Sequence, residues 1–512
     1  MRALGRFSRK AAPPGSRRRR WLFVAATLTV SAAMVLFVVG AGAVVPGSPS
    51  NFESNDGNMT VDTAGNADWN SVAGSCLGGA NVSGGLCVSG NYVHLVDVAS
   101  SSSDDSFKPG QKQDTICPLV IGSKNPPKDD FTDVASFNET SSSTLDTFLY
   151  GATIRFTSNG TASENVELNQ GKNGTCSNEP PGVSLLARTV GDKLIGIDYT
   201  NGGASVNFHV LTWIDGTDPT NPTCSVGNDT PPCWGAAVQT LAANAAEGKA
   251  SQAQIVGGVG GDNGINGQTL TAGQFAEFGV DLTAAKIIPA GACEAFPQTV
   301  WESRSSASFV STTEDISLEH HSISTCGSLS VNKYIDANEN GKSDSGDGTA
   351  LAGDLTGWSF TVSGPAGTCT GTTDTSGNLG TCTTSGGKTI DLTSLAPGSY
   401  TVTENANASK RIGSNSSPFF NTDPGPTPAT PPVSKTATVG VSGSASVSFG
   451  NSCYATAGFE VDGVPTDESV GSITASYSVN AGAAKTASLT KTSDASVWTG
   501  SVGQLRKGDN VT

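Results

Sequence analysis

Between Gly327 and Asn451 apolar residues recur at every second position. The runs are Leu329-Ser330-Val331-Asn332-Lys333-Tyr334-Ile335-Asp336, Trp358-Ser359-Phe360-Thr361-Val362, Tyr400-Thr401-Val402-Thr403-Glu404 and Ser446-Val447-Ser448-Phe449-Gly450-Asn451. Turn residues bound each run, so the pattern predicts strands with one face buried. Upstream, similar strands are predicted over Tyr92 to Val98, Leu149 to Phe156, Glu164 to Leu168, Lys193 to Tyr199, Val206 to Ile214, Phe275 to Leu282 and Ile316 to His320. Downstream, Gly458 to Val461, Ile473 to Val479 and Ser496 to Gly500 resume the alternation. Helical periodicity is scarce. Leu241 to Ile255, Ala-rich and broken only by Gly248, reads as the exception. Many strands without intervening helices predict an all-β chain of sandwich or jelly-roll modules.

Punctuation divides the chain. Residues 50–327 form a first large β unit, residues 328–453 a central one, and residues 454–512 a partial third, short or truncated. From Arg411 to Lys435 lies a proline-rich insertion with Pro424, Pro426, Pro428, Pro431 and Pro432. Proline lacks the ladder donor, so this insertion is expected to be an extended surface loop.

The central unit resembles the prealbumin-like B-type modules of Gram-positive surface proteins: collagen adhesins, pilins and serine-aspartate-repeat adhesins. The resemblance rests on Lys333 in the first strand, on Pro397-Gly398-Ser399-Tyr400-Thr401-Val402-Thr403-Glu404, and on Asn451 in the last strand. It covers about a quarter of the chain and implies a small β-sandwich that spaces or presents other domains. The first unit resembles a jelly-roll-like domain of large secreted actinobacterial proteins. That likeness rests on Pro126-Pro127-Lys128-Asp129-Asp130, Leu149-Tyr150-Gly151 with Arg155, the run from Asn159 to Glu164, Lys193 to Tyr199, Phe278 to Thr283 and Trp301 to Phe309. It implies no catalytic activity.

Charge and cysteines set the compartment. The first 45 residues hold Arg2, Arg6, Arg9, Lys10 and Arg17 to Arg20 and no acidic residue; an apolar run from Trp21 to Val39 and Ala41-Gly42-Ala43 follow. Residues 1–45 therefore read as an export signal cleaved after Ala43, or as an uncleaved anchor, since 19 apolar residues can span a bilayer. Eight of the 29 basic residues and none of the 45 acidic ones lie there, so the remainder carries 21 against 45, a net of −24. Such a surface repels nucleic acid and anionic lipid, leaving the N-terminal segment, if retained, as the one membrane contact. Eleven cysteines without a Cys-x-x-Cys pair point to disulfides in an extracellular protein. Spacing suggests Cys76–Cys87, Cys224–Cys233, Cys293–Cys326 and Cys369–Cys382; Cys117, Cys176 and Cys453 stay unassigned.

Catalytic patterns are lacking. His320-His321 sits on a predicted strand, where the two rings point to opposite faces. His94 and His209 lie in apolar strands and read as core residues. No Gly-x-Ser-x-Gly or His-Glu-x-x-His is present, and the Gly257 to Gly267 run lacks a phosphate-loop signature.

Two sites carry chemistry. Asp336, Asn338, Asn340, Gly341, Asp344 and Asp347 match positions 1, 3, 5, 6, 9 and 12 of a calcium loop, with the Lys342 carbonyl at 7. Asp347 replaces the usual glutamate, and no helices flank the loop; the alternative is a solvated acidic turn. Serine-aspartate-repeat modules, which the loop resembles, use calcium. The second is an expected intramolecular isopeptide bond between Lys333 and Asn451, assisted by Glu404; the alternative is an exposed strand lysine and an exposed strand-end asparagine. It requires a neutral lysine, and burial between sheets disfavours the ammonium. A one-residue slip caused by the insertion would turn Asn451 to the other face. The function expected is that of an exported structural or adhesive surface protein binding extracellular matrix, a glycan or another surface protein. The alternative is a carbohydrate-binding or carbohydrate-active domain at 50–327, which exposed aromatics along a groove would favour.

Overall fold

The computed structural model describes residues 44–512, apart from 114, 177–183, 218–222, 226–229, 236–240, 242–243, 259–263, 348–352, 407–418, 424–431, 467–469 and 507–508. The expected signal or anchor, all but its last two residues, lies outside the described residues. Among the described residues no helix is long and apolar enough to cross a membrane.

The architecture is all-β. In the first region a six-stranded sheet runs in the order Leu86–Ser89, Tyr92–Val96, Phe131–Thr140, Thr147–Arg155, Phe275–Asp281, Ala246–Ala250. An eight-stranded sheet runs Cys233–Trp234, Ser205–Ile214, Lys193–Thr200, Ser163–Asn169, Gln298–Arg304, Thr313–Glu319, Asp105–Phe107, Val120–Gly122. Their inner faces share one core: Leu149, Phe278 and Val280 of the first sheet pack with Val166, Ile195, Ile197 and Trp301 of the second. Close approach requires Gly151, since a Cβ there would stand 2.3 Å from the Phe278 ring and 2.5 Å from Trp301. The outer face of the six-stranded sheet is also covered. Phe52 stacks on Tyr150 at 4.3 Å, and the short helix Trp69–Val72 buries Trp69 there. That is why Thr147–Arg155 is buried at every residue and does not alternate.

The central region is a sandwich of a four-stranded and a six-stranded sheet. The first runs Asn378–Leu379, Ser328–Ile335, Ser444–Cys453, Phe419–Asp423. The second runs Thr389–Asp391, Thr381–Thr384, Gly367–Thr372, Ser359–Gly364, Gly398–Glu404, Val433–Val439. Leu329, Val331, Val447 and Phe449 meet Trp358, Phe360, Val362, Tyr400 and Val402 between them, the residues that the two-residue period places inward. A last four-stranded sheet runs Ala455–Val461, Trp498–Leu505, Lys485–Lys491, Ile473–Tyr477; its third strand falls outside the expected runs.

Several expectations are corrected. The expected helix over Leu241 to Ile255 is absent from its described residues: Ala246–Ala250 is an edge strand paired antiparallel with Phe275–Asp281. Tertiary pairing overrides the local alanine preference, and Gly248 suits the tight pairing, because a Cβ there would stand 2.6 Å from the Glu277 carbonyl. The stretch 411–435 is not wholly loop. Phe419–Asp423 inside it pairs antiparallel with Ser444–Cys453, burying Phe420 and Asn421; the prolines at 424–431 lie outside the described residues. The strand Thr313–Glu319 ends before His320 and His321. His94 is fully buried with Nε2 2.9 Å from Asp133, but the His209 side chain is 31% exposed and 3.6 Å from Asp198.

The structure joins all four suggested disulfide pairs and adds Cys117–Cys176, a spacing of 59 residues that local pattern could not suggest. Cys453 remains a free thiol.

Candidate functional site

The parallel pairing of Ser328–Ile335 with Ser444–Cys453 sets Lys333 opposite Phe449 and Ile335 opposite Asn451. Residues two apart share a face, so Lys333 and Asn451 are diagonal neighbours pointing into the sandwich. Glu404, at the end of Gly398–Glu404, reaches them from the opposite sheet. Lys333 is 1% exposed; Glu404 and Asn451 are 0% exposed. The structure thus places all three side chains inside, with no slip of register at Asn451.

Contacts link them. Lys333 Nζ lies 3.4 Å from Glu404 Oε1 and donates to the Phe449 carbonyl at 3.1 Å. Asn451 Nδ2 donates to Glu404 Oε1 at 2.8 Å. The Trp358 ring closes the site, its centroid 4.4 Å from Lys333 Nζ. Burial pulls the Lys333 ammonium down to about 8, while Glu404 opposes that fall. About a tenth of the amine is then neutral at pH 7, far more than for an ordinary lysine, and the neutral form is the nucleophile.

A fourth residue, which the sequence did not single out, completes the site. Asn421, fully buried, donates from Nδ2 to Glu404 Oε2 at 2.9 Å and to Asn451 Oδ1 at 3.0 Å. It sits in the strand hidden within the insertion, register-paired with Asn451. The available signal was the apolar pair Phe419-Phe420 among prolines. Donation to the Asn451 carbonyl oxygen polarises the group that an amine would attack. Gly450 keeps the neighbouring strand close: a Cβ there would lie 2.6 Å from the Tyr334 ring.

The acidic loop is separate. Asp336 is fully buried and accepts from the Asn340 and Gly341 amides at 3.1 and 2.7 Å. Asn338 and Asn340 donate to the two oxygens of Asp344 at 3.0 and 2.7 Å, and Asp347 Oδ2 caps the Asp344 amide at 2.9 Å. Asp347 Oδ1 is buried without a partner among the described residues. An all-oxygen donor set with one orphaned carboxylate oxygen fits a hard cation. Asp336, Asn338, Asn340, Asp344 and Asp347 would hold it, with the Lys342 carbonyl. The tightest carboxylate groups among the described residues lie elsewhere: Glu53 with Asp56 and Asp68, and Asp97 with Asp104 and Asp315.

Phe156 is the one largely exposed Phe, Tyr or Trp among the described residues.

No protein-family model and no curated protein matches the chain. Among solved structures it is similar to the Bacillus anthracis TIE protein at 10% identity and a TM-score of 0.23, over 72% of this chain and 50% of that one. It is also similar to the shaft pilin spaA of Lactobacillus rhamnosus GG at 15% identity and a TM-score of 0.15, over 32% of this chain and 64% of that one. A streptococcal ancillary pilin shows 12% identity and a TM-score of 0.17, over 48% of this chain and 68% of that one. The chain spans half the length of the first of these and under two thirds of the second.

Proposed function

We propose that this chain is an exported structural or adhesive protein of the cell surface, whose central sandwich closes a Lys333–Asn451 amide cross-link. The observation that carries this reading is the burial of Lys333 and Asn451 against the same carboxylate, Glu404. The neutral Lys333 amine attacks Cγ of Asn451. Negative charge develops on Asn451 Oδ1, where Asn421 donates. Glu404 accepts a proton from the attacking nitrogen and returns it to Nδ2, which leaves as ammonia. One N–C bond forms, one breaks, and no oxidant is needed. The product joins neighbouring strands at the two ends of the module, which suits a stalk under tension. A bound cation would brace the loop that follows the Lys333 strand.

Mass spectrometry of the intact, reduced chain tests this. The expected mass is lower than that of the sequence by one ammonia, and Lys333→Ala, Asn451→Ala and Glu404→Ala each restore it. A folded wild-type chain of full mass overturns the reading.

A further inference from the structure

We infer that the first sandwich carries a calcium-type cation site formed by Asp97, Asp104 and Asp315, with Asp130 beside it, where its two sheets meet. One carboxylate oxygen from each of Asp97, Asp104 and Asp315 lies within 4.8 Å of the others. Asp104, Asp130 and Asp315 are buried to 2% exposure or less, and Asp97 is half-buried. Asp104 Oδ1 and Asp130 Oδ1 are both buried with no hydrogen-bond partner among the described residues.

The other oxygens are held in place. Asn125 Nδ2 donates to Asp104 Oδ2 at 2.9 Å and to Asp315 Oδ1 at 2.8 Å. The Phe131 amide donates to Asp315 Oδ2 at 2.6 Å, and the Ser100 amide to Asp130 Oδ2 at 3.0 Å. Asp97 accepts from the Val98 amide at 2.7 Å and from the Ser317 hydroxyl. All of these donors are neutral. None of the described ion pairs involves Asp97, Asp104, Asp130 or Asp315. Lys124 acts on Asp130 from a distance.

Such a group repels itself. Burial first, then the charges of Asp97 and Asp130, push Asp104 up to about 8; burial pushes Asp97 up to about 6, and burial with Asp97 and Asp104 raises Asp315 well above the carboxylate range. A divalent ion among these carboxylates offsets that repulsion. The donor set is oxygen alone, with no His or Cys, and combines a strand residue, Asp315, with two residues at strand ends, Asp97 and Asp104, which suits calcium better than zinc. Access is open, because Asp97 lines a surface cavity with Val96, Asp105, Ser317 and His320.

The placement gives the ion a structural role. Asp97 follows Tyr92–Val96 and Asp130 precedes Phe131–Thr140 in the six-stranded sheet. Asp104 precedes Asp105–Phe107 and Asp315 lies in Thr313–Glu319 in the eight-stranded sheet. A cation there clamps the two sheets together.

The test uses the intact chain carrying Asp336→Ala, which silences the acidic loop of the central sandwich. Equilibrium dialysis against millimolar calcium is expected to find one bound ion, lost when Asp97→Asn and Asp104→Asn are added. In chelator the Asp336→Ala chain is expected to melt earlier than in calcium. The Asn-substituted chain is expected to melt at the same temperature in both, no earlier than its parent in chelator, which also shows that it folds. No bound calcium in the Asp336→Ala chain, or unchanged binding after the Asn substitutions, overturns the assignment. Displacement of calcium by an equal concentration of magnesium overturns the choice of ion.

Discussion

Asn421 and Asn451 face each other across adjacent antiparallel strands, and their carboxamides end on the two oxygens of one buried carboxylate, Glu404. A hydrogen bond of 3.0 Å from Asn421 Nδ2 to Asn451 Oδ1 closes the triangle. The pair is asymmetric in a useful way. Asn451 lies one strand from Lys333 and Asn421 two strands away, so one amide is placed to react and the other to polarise it.

Asn421 is therefore expected to control the rate of the proposed cross-linking. Asn421→Leu is expected to slow loss of ammonia by about 100-fold, the usual effect of removing one oxyanion donor. Mass spectrometry at timed intervals after cell-free synthesis reads this directly. Closure at the wild-type rate in a folded Asn421→Leu chain would contradict the role.

The proposed cross-link would span most of the central sandwich and so restrict the unfolded chain. By loop-entropy reasoning, Asn451→Ala is expected to cost about 5 kcal/mol in unfolding of that sandwich. Guanidinium titration of the two chains checks it, with Trp358 as a probe. Coincident transitions would show that no covalent closure is present.

In the unclosed Asn451→Ala chain, Lys333 keeps its lowered value of about 8 against an ordinary 10.5. Between those two values the unfolded chain binds the extra proton and the folded chain does not. Stability therefore rises with pH across that window, by up to about 1.4 kcal/mol per pH unit, and is flat on either side. Adding Lys333→Met should remove the rise. A flat profile from pH 8 to 10.5 in the Lys333-containing chain would count against a buried amine.

The thiol inventory is also checkable. Five disulfides leave Cys453 as the free thiol. Alkylation in denaturant without reductant is expected to label Cys453 once. Labelling at Cys117 or Cys176 would refute the pairing that spacing left open.

Calcium is expected to slow protease cleavage between Asn338 and Gly346, where the loop is largely exposed. Asp336→Ala should abolish that protection while leaving cleavage elsewhere unchanged. Equal protection in the variant would remove Asp336 from the ligand set.

Much of this protein is determined locally. The two-residue period in Leu329 to Asp336 and Ser446 to Asn451 fixes which side chains share a face, because successive residues in a strand point to opposite sides. It therefore puts Lys333 on the face of Leu329 and Val331, and Asn451 on the face of Val447 and Phe449. Short-range disulfides such as Cys369–Cys382 are equally local, since a hairpin turn brings its ends together. What only the tertiary structure decided depends on pairing between distant segments. Ala246–Ala250 is a strand because an edge of the six-stranded sheet was available to it. Asn421 entered the site because Ser444–Cys453 offered a ladder to Phe419–Asp423, a segment whose proline-rich surroundings spoke for a loop. The Asp97, Asp104 and Asp315 cluster joins residues more than 200 positions apart. No periodicity reports such a meeting, because burial of a charge depends on what packs against it and not on its neighbours in the chain.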